Sequence, residues 1–258
     1  MVSFFSKKRT KMLTVTIMAA GEGKRMNSNI PKVLHNFKEI PMLIRIILEV
    51  LKLNPQKIII ITGKYDLLIK ETIKSYSQNN NLNMFNKLIF IEQTTPNGTG
   101  HAIKCTLNSY LDEEDVLILN GDMPLIKYEL LKKFIESDLS PLLLVSQLDN
   151  PYGYGRILYD TNKQFIGIKE EKDCSLEEKE INIVNVGIYF LKSELLKKYI
   201  PMIDNNNNQK EYYLTDIVKI IRTHTDINIH TYLIENSMKH QIHGVNTQDE
   251  LKKLQELF

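Results

Sequence analysis

The stretch LTVTIMAAGEGKRM, residues 13–26, joins a short apolar run to a glycine loop and decides the fold class of this chain. The apolar run predicts a buried strand. Small residues directly after a strand let the backbone approach a phosphate or a base closely. The guanidinium group of Arg25 then offers a planar set of donors for phosphate oxygens, and Lys32 adds a second cation in the segment that follows the same strand. A tight turn that carries two solvated cations is the alternative interpretation.

Strands alternate with helices in the first half of the chain, which is typical of crossover units and a largely parallel sheet covered on both faces. After residue 149 the connections shorten, so we expect mixed strand directions there. The hydrophobic pattern predicts strands at residues 13–19, 57–62, 87–91, 116–119, 142–146, 157–159, 165–169, 186–191 and 229–233. It predicts helices at residues 41–53, 66–76, 100–110, 127–136, 195–199, 214–223 and 249–257. The fold class is therefore α/β, with a mixed, mainly parallel central sheet flanked by helices.

Composition limits the class of protein further. The 258 residues include 33 Lys and Arg against 31 Asp and Glu, and this net charge of +2 gives no support to a general nucleic-acid binder. Two cysteines, Cys105 and Cys174, are too few for a disulfide framework, so we expect a reducing, cytoplasmic compartment. No stretch approaches the roughly 20 apolar residues of a membrane span, and we expect neither nucleic acid nor membrane as a partner.

Two familiar phosphate-binding motifs are excluded by the residues present. The dinucleotide fingerprint needs a third glycine where Met26 stands, which disfavours a nicotinamide-binding domain. The P-loop needs a glycine where Met18 stands. The glycine loop therefore belongs to a different kind of anion site.

A second candidate site follows the apolar run at residues 116–119. Asp122 comes just after this run, and ligands of open α/β sheets bind outside the carboxyl ends of strands. A hard carboxylate there can hold Mg²⁺ against the phosphates of a nucleotide. The alternative interpretation is a turn aspartate that caps the helix beginning near Lys127.

The order of motifs along the chain adds a further inference. They are AAGEGKRM at 19–26, PKVL at 31–34, Gln93 with GTGHA at 98–102, NGDMPL at 120–125, GYGRI at 153–157, Glu170, Asn185 with Gly187 and Ile188, EYYLTD at 211–216 and GVN at 244–246. In this order the sequence resembles the uridylyltransferase (pyrophosphorylase) domain of bacterial-type N-acetylglucosamine-1-phosphate uridylyltransferases, over roughly residues 13–257. The opening is shared with other sugar nucleotidyltransferases, whereas the GYGR and EYYLTD segments are more specific to this family.

The resemblance implies a Rossmann-like nucleotidyltransferase fold and Mg²⁺-assisted in-line transfer of uridylyl from UTP to N-acetylglucosamine 1-phosphate, with pyrophosphate released. By matching position it implies nucleotide contacts from Ala20, Gly21, Gln93, Gly98 and Thr99. It implies sugar contacts from Gly155, Glu170, Asn185, Tyr213 and Thr215. It implies that Asp122 and Asn246 hold Mg²⁺, and that Arg25, Lys32 and Asp122 carry the catalysis. The sugar phosphate is already a nucleophile, so no general base is needed. We expect Lys32 to neutralise the α-phosphoryl oxygens and Arg25 the leaving pyrophosphate.

The resemblance also sets expectations for domains and departures. Residues 1–11 are expected to form a flexible basic tail, and residues 12–258 one domain with a nucleotide portion (12–148) and a sugar-phosphate portion (149–258). Lys24 stands where the family often has Thr, and it either strengthens triphosphate binding or points to solvent. No hexapeptide array follows, so we expect uridylyl transfer without acetyl transfer.

Some alternatives stay open. They are another sugar 1-phosphate, an alcohol phosphate with CTP, and a non-catalytic sugar-nucleotide-binding protein. His101 is expected to have a structural role, and neither cysteine is expected to be reactive. The sequence does not specify the oligomeric state.

Overall fold

The structure is a computed structural model that describes residues 12–162 and 164–258. The tail predicted at residues 1–11 lies outside the described residues. The strands are β1 (Leu13–Met18), β2 (Asn36–Phe37), β3 (Ile40–Pro41), β4 (Lys57–Thr62), β5 (Leu88–Glu92), β6 (Asp115–Asn120), β7 (Leu142–Gln147), β8 (Gly155–Tyr159), β9 (Phe165–Lys169), β10 (Ile183–Lys192) and β11 (His230–Leu233). The α-helices are α1 (Met42–Leu51), α2 (Asp66–Asn79), α3 (Thr99–Thr106), α4 (Tyr128–Glu136), α5 (Leu176–Lys179), α6 (Ser193–Tyr199), α7 (Asp216–His224) and α8 (Gln248–Leu257).

The main sheet runs in the order β11-β7-β10-β6-β1-β4-β5. Strands β6, β1, β4 and β5 pair in parallel, as do β11 and β7. Strand β10 is antiparallel to β6, β7 and β8, and the β8–β9 hairpin branches from it. The predicted fold class, a mixed and mainly parallel sheet flanked by helices, is confirmed.

Successive side chains of the buried strands pack alternately into two separate hydrophobic cores, one on each face of the sheet. In β4, Ile58 and Ile60 pack with α1, α2 and α4 on one face, whereas Ile59 and Ile61 pack with α3, α6 and α7 on the other. A fully buried strand needs apolar side chains on both faces, which is why the β4 sequence is a continuous isoleucine run. Within the described residues, no helix is long and apolar enough to cross a membrane.

The structure differs from the sequence-based expectation mainly in short elements and boundaries. The β2–β3 hairpin and helix α5 were not predicted, because elements of two to four residues carry too little hydrophobic periodicity. Strand β10 begins at Ile183 rather than 186, and its register shifts between Asn185 and Tyr189. Gly187 lies inside this bulge with φ +82°, a conformation that favours glycine.

Candidate active site

Three loops that carry predicted site residues leave the same edge of the sheet. Backbone hydrogen bonds join Ala19 N to Ile61 O (2.8 Å), Gln93 N to Thr62 O (2.7 Å) and Gly121 N to Met18 O (2.9 Å). The ends of β1, β4, β5 and β6 are thereby locked side by side. This is the edge where open α/β sheets bind their ligands.

The glycine loop is shaped by its contact with Lys32. Gly23 has φ +65°, and a Cβ added there would lie 2.5 Å from the Lys32 Cβ, so the position requires glycine. Arg25, two residues on, is exposed, and its guanidinium forms no ion pair with another described residue. The loop thus leaves one forked cation available while it holds the other, Lys32, inside the site.

The Lys32 ammonium lies between the two predicted metal ligands. Its Nζ is 2.5 Å from Asp122 Oδ2 and 3.0 Å from Asn246 Oδ1. The side chains of Lys32 and Asp122 are only 14% and 19% exposed. A carboxylate and an amide oxygen from distant parts of the chain therefore converge on one cation.

Asn246 is held beside Asp122 by the start of α8. Val245 N donates to the Asp122 carbonyl (2.9 Å), which ties the segment before α8 to the loop after β6. Asn246 N donates to Glu250 Oε2 (2.6 Å), and Thr247 caps the helix by accepting from Glu250 N (3.1 Å). These two hydrogen bonds fix the backbone that presents the Asn246 side chain.

These oxygens fit a hard divalent cation. Carboxylate and amide oxygens are ligands that Mg²⁺ accepts, and Mg²⁺ usually takes one or two protein ligands and completes its shell with water and phosphate oxygens. Among residues 12–162 and 164–258, no group of three or more His, Cys, Asp or Glu side chains could hold a metal ion. A metal at Asp122 and Asn246 would therefore rely on substrate oxygens for the rest of its coordination.

At the end of the site predicted to bind the nucleotide, Gln93 is buried and both hydrogens of its amide nitrogen have acceptors. Nε2 lies 3.0 Å from Gly98 O and 3.0 Å from His101 Nδ1. Gly98 has φ +100°, and a Cβ there would lie 2.6 Å from Tyr212 O, so the 98–100 segment packs directly against the backbone of the later motif. Thr99 Oγ1 accepts from Leu214 N (3.0 Å), which joins the two segments again.

Of the residues predicted to bind the sugar, the structure brings together Gly155, Glu170, Asn185 and Thr215. Gly155 pairs with Asn185 in the sheet, and a Cβ on Gly155 would lie 3.6 Å from Glu170 Oε2. Thr215 donates to Glu170 Oε1 (2.8 Å). The fifth predicted residue, Tyr213, instead accepts a hydrogen bond from Gln209 (2.8 Å).

The Glu170 carboxyl group is electrostatically unusual. Burial raises its pKa, the Thr215 hydrogen bond opposes this, and the nearby carboxylates of Asp216, Asp173 and Glu211 raise the pKa further. Asn185 uses its amide differently, because Nδ2 donates to the Tyr189 hydroxyl (2.8 Å) and Oδ1 accepts from Gly187 N (3.2 Å).

The GYGR motif anchors the hairpin that carries Gly155. The Arg156 side chain is buried, pairs with Glu171 (2.7 Å) and donates to the Lys179 carbonyl (3.2 Å). Burial raises the pKa of Tyr154, and the carboxylates of Asp122 and Glu250 raise it further. Sequence reasoning missed this anchoring role, although a buried ion pair is what an arginine flanked by strand residues requires.

The structure also settles where two residues of uncertain role lie. The Lys24 side chain is 86% exposed, with its ammonium 3.7 Å from Glu22 Oε2, so it points to solvent. His101, which was expected to be structural, contacts the predicted nucleotide ligand Gln93. The sequence feature that could have indicated this contact is the position of His101 directly after GTG, at the start of a helix.

A mainly parallel sheet whose strand ends carry a glycine loop, a cation and two hard oxygen ligands is a nucleotide-binding α/β fold. The sequence profile described as nucleotidyl transferase matches residues 14–246, and the chain belongs to this family.

Similar proteins include a probable UDP-N-acetylglucosamine pyrophosphorylase of Acanthamoeba polyphaga mimivirus, 40% identical over 94% of this chain and 95% of that one. The bifunctional protein GlmU of Trichodesmium erythraeum is 36% identical over 96% of this chain, and that of Francisella tularensis subsp. novicida is 39% identical over 95%. The chain spans about half of the length of these bifunctional relatives, 52% and 51%. A crystal structure of UDP-glucose pyrophosphorylase with UDP-glucose superposes with a TM-score of 0.72 over 95% of this chain and 98% of that one, at 14% identity, and supports the fold.

Proposed function

We propose that the protein transfers a uridylyl group from UTP to N-acetylglucosamine 1-phosphate, forming UDP-N-acetylglucosamine and pyrophosphate. The observation that carries this proposal is the convergence of Asp122 and Asn246 on one cation beside the glycine loop. A non-catalytic sugar-nucleotide binder would not need these oxygens or the available Arg25. Both are present in a chain similar over nearly its whole length to the mimiviral protein.

The chemistry needs positioning and charge neutralisation rather than a general base. An oxygen of the sugar phosphate attacks the α-phosphorus in line. The new O–P bond forms as the bond from the α-phosphorus to the bridging oxygen breaks, and pyrophosphate leaves with that electron pair. Lys32 is placed to neutralise the α-phosphoryl oxygens, and Arg25 is free to contact the leaving pyrophosphate. Mg²⁺ bound by Asp122 and Asn246 would neutralise charge on the incoming phosphate and the α-phosphoryl group.

The two substrates would bind at the two ends already described. The residues assigned to the nucleotide are Ala20, Gly21, Gln93, Gly98 and Thr99, among which small residues would leave room for a flat base. The residues assigned to the sugar end are Gly155, Glu170, Asn185, Tyr213 and Thr215. Asn246 comes from the second half of the sequence and contacts Lys32 from the first. The proposed nucleotide portion (12–148) and sugar-phosphate portion (149–258) would therefore share the reacting centre.

Lys32 has to move for this mechanism to operate. Its ammonium now contacts both proposed metal ligands, so it can reach the α-phosphoryl oxygens only by leaving Asp122 and Asn246. Triphosphate oxygens are strong acceptors for an ammonium group, which supplies the driving force for the exchange. Nucleotide and metal would then enter together.

The test is pyrophosphate release by the purified chain with Mg²⁺, across five nucleoside triphosphates and several sugar 1-phosphates. We expect release from UTP only when a hexosamine 1-phosphate is added. Activity with glucose 1-phosphate and none with its N-acetylamino analogue would overturn the substrate assignment. Turnover of CTP with an alcohol phosphate would overturn the nucleotide assignment.

A further inference from the structure

The Gln93 side chain can be oriented from its neighbours alone. Its Nε2 atom lies 3.0 Å from the Gly98 carbonyl oxygen. A carbonyl oxygen only accepts hydrogen bonds, so the amide nitrogen and not the amide oxygen must face it. This excludes the flipped amide, whose oxygen would meet another acceptor.

The second neighbour of the same nitrogen is His101. Nδ1 of its ring lies 3.0 Å from Gln93 Nε2, and an amide nitrogen has no lone pair with which to accept. The His101 Nδ1 must therefore accept, which leaves the ring neutral with its proton on Nε2. Both Nε2 hydrogens of Gln93 are now used, one by Gly98 and one by His101. The described residues provide no hydrogen bond to Gln93 Oε1.

The His101 ring is itself held in place from two sides. It belongs to the first turn of α3, and its ring packs against Tyr212 with the centroids 6.3 Å apart. The Tyr212 backbone accepts from Gly100 N (2.7 Å) and donates to Asn97 O (2.9 Å). The acceptor that faces Gln93 is therefore fixed by a helix and by the EYYLTD segment together.

We propose that His101 is a positioning residue for base selection: it holds the Gln93 amide so that Oε1, an acceptor, is the atom left for the base. Uracil presents an N–H at N3 and matches this acceptor. Cytosine presents a bare nitrogen there, so two acceptors would face each other and Oε1 would stay unpaired once the base covers it. The inference rests on the proposed function for the identity of the nucleotide, and it adds His101 as the residue that makes Gln93 select uracil over cytosine.

Two substitutions of His101 separate the acceptor atom from the bulk of the side chain. His101→Asn places an amide oxygen at the branch position of Nδ1, whereas His101→Leu places a methyl group there. We measure dissociation constants for UTP and CTP by calorimetry, and kcat and KM by pyrophosphate release. We expect the preference for UTP over CTP to fall about tenfold in His101→Leu and to stay within about threefold of wild type in His101→Asn. The loss should come from the constants for UTP, with KM for the sugar phosphate unchanged.

A double variant tests whether His101 acts through Gln93. In a Gln93→Leu background the amide is gone, so His101→Leu should change the UTP-to-CTP ratio no further. His101→Ala provides the same comparison without an added apolar branch, if the leucine variant does not fold.

Three outcomes overturn the inference: a wild-type protein that binds CTP as tightly as UTP, a His101→Leu variant with the wild-type ratio, or equal losses in the Leu and Asn variants. Failure of the proposed function looks different. Wild-type protein would then release no pyrophosphate with any sugar phosphate, while the binding constants would still report base selection.

Discussion

At the end of the candidate site proposed to bind phosphates (the phosphate end), an ion pair holds the side chains together. At the end proposed to bind the sugar (the sugar end), hydrogen bonds surround one half-buried carboxyl group. Lys32 is bonded to Asp122 and Asn246, and these contacts must break before a phosphate or a metal ion can take their place. Glu170 and Thr215 are already bonded to each other. We therefore expect the phosphate end to exchange contacts when substrates bind and the sugar end to recognise the sugar, so substitutions at the two ends should separate into effects on kcat and on KM.

The largest expected effect is that of Asp122→Asn. The substitution removes the charge that would hold a divalent cation and that now pairs with Lys32, so we expect kcat to fall about 10²–10³-fold. KM for the sugar phosphate should change little. Steady-state pyrophosphate release at saturating substrates measures both constants.

Asp112→Asn is the matched control for this variant, because Asp112 is exposed and pairs only with Lys197 among its described neighbours. It should keep wild-type kcat. Full activity of Asp122→Asn would contradict the proposed role of Asp122 as a metal ligand. A large rise in KM for the sugar phosphate with unchanged kcat would contradict the proposed difference between the phosphate end and the sugar end.

Lys32→Met tests the exchange directly. Without the ammonium, the oxygens of Asp122 and Asn246 no longer have an internal competitor, so we expect Mn²⁺ alone to bind about tenfold more tightly than to wild type. At the same time kcat should fall about 10–10²-fold, because the neutralising cation is lost. Calorimetry with Mn²⁺ in the absence of nucleotide gives the affinity.

Lys24→Met is the control for that measurement, since Lys24 is exposed and not bonded to either metal ligand. Unchanged Mn²⁺ affinity in Lys32→Met would mean that the ammonium does not occupy the metal position.

Glu170→Gln should move KM instead. We expect KM for the sugar phosphate to rise about tenfold with kcat within about threefold, because the lost contact would bind the ground state and the transition state equally. The wild-type KM should also depend on pH. Since the pKa of Glu170 is raised above its ordinary value of 4.5, the carboxyl group takes up its proton earlier as pH falls, and the charged acceptor is lost.

The glutamine variant provides the control for this pH dependence. Ionisation of the substrate phosphates affects both proteins alike, so the ratio of the two KM values isolates Glu170. The ratio should approach one on the acid side. A ratio that is constant across pH would exclude Glu170 from sugar binding by charge.

The same comparison shows which parts of the site the sequence can predict. Asp122 was predictable, because an apolar strand followed by NGD places a carboxylate at a strand end whatever the rest of the chain does. The Lys32–Asn246 contact was not predictable from local sequence, because it depends on a turn and on a backbone bond between Val245 and Asp122.

The fold divides in a similar way. Strands such as β4 are buried on both faces, and their apolar runs identify them. The first residues of β10 include Asn185 and a bulge at Gly187, so polar functional residues interrupt the pattern and hid the start of the strand. The Gln93–His101 contact is local in sequence, but its meaning depends on which amide atom is left free, and only geometry provides that.

The smallest expected effect distinguishes two adjacent cations in the glycine loop. Lys24→Thr should change kcat and both KM values less than about twofold, because an exposed ion pair with Glu22 contributes little. Arg25→Ala is its matched partner and should lower kcat about tenfold if its available fork binds the leaving pyrophosphate. Steady-state kinetics at low and high salt compare them, because a solvated lysine that only raises the local potential loses its effect as salt screens it. Equal effects of the two substitutions would assign phosphate binding to the net charge of the loop. A selective effect at Arg25 would assign phosphate binding to the guanidinium group of Arg25. Lys32 provides the parallel, because its ammonium group is held in one place by Asp122 and Asn246.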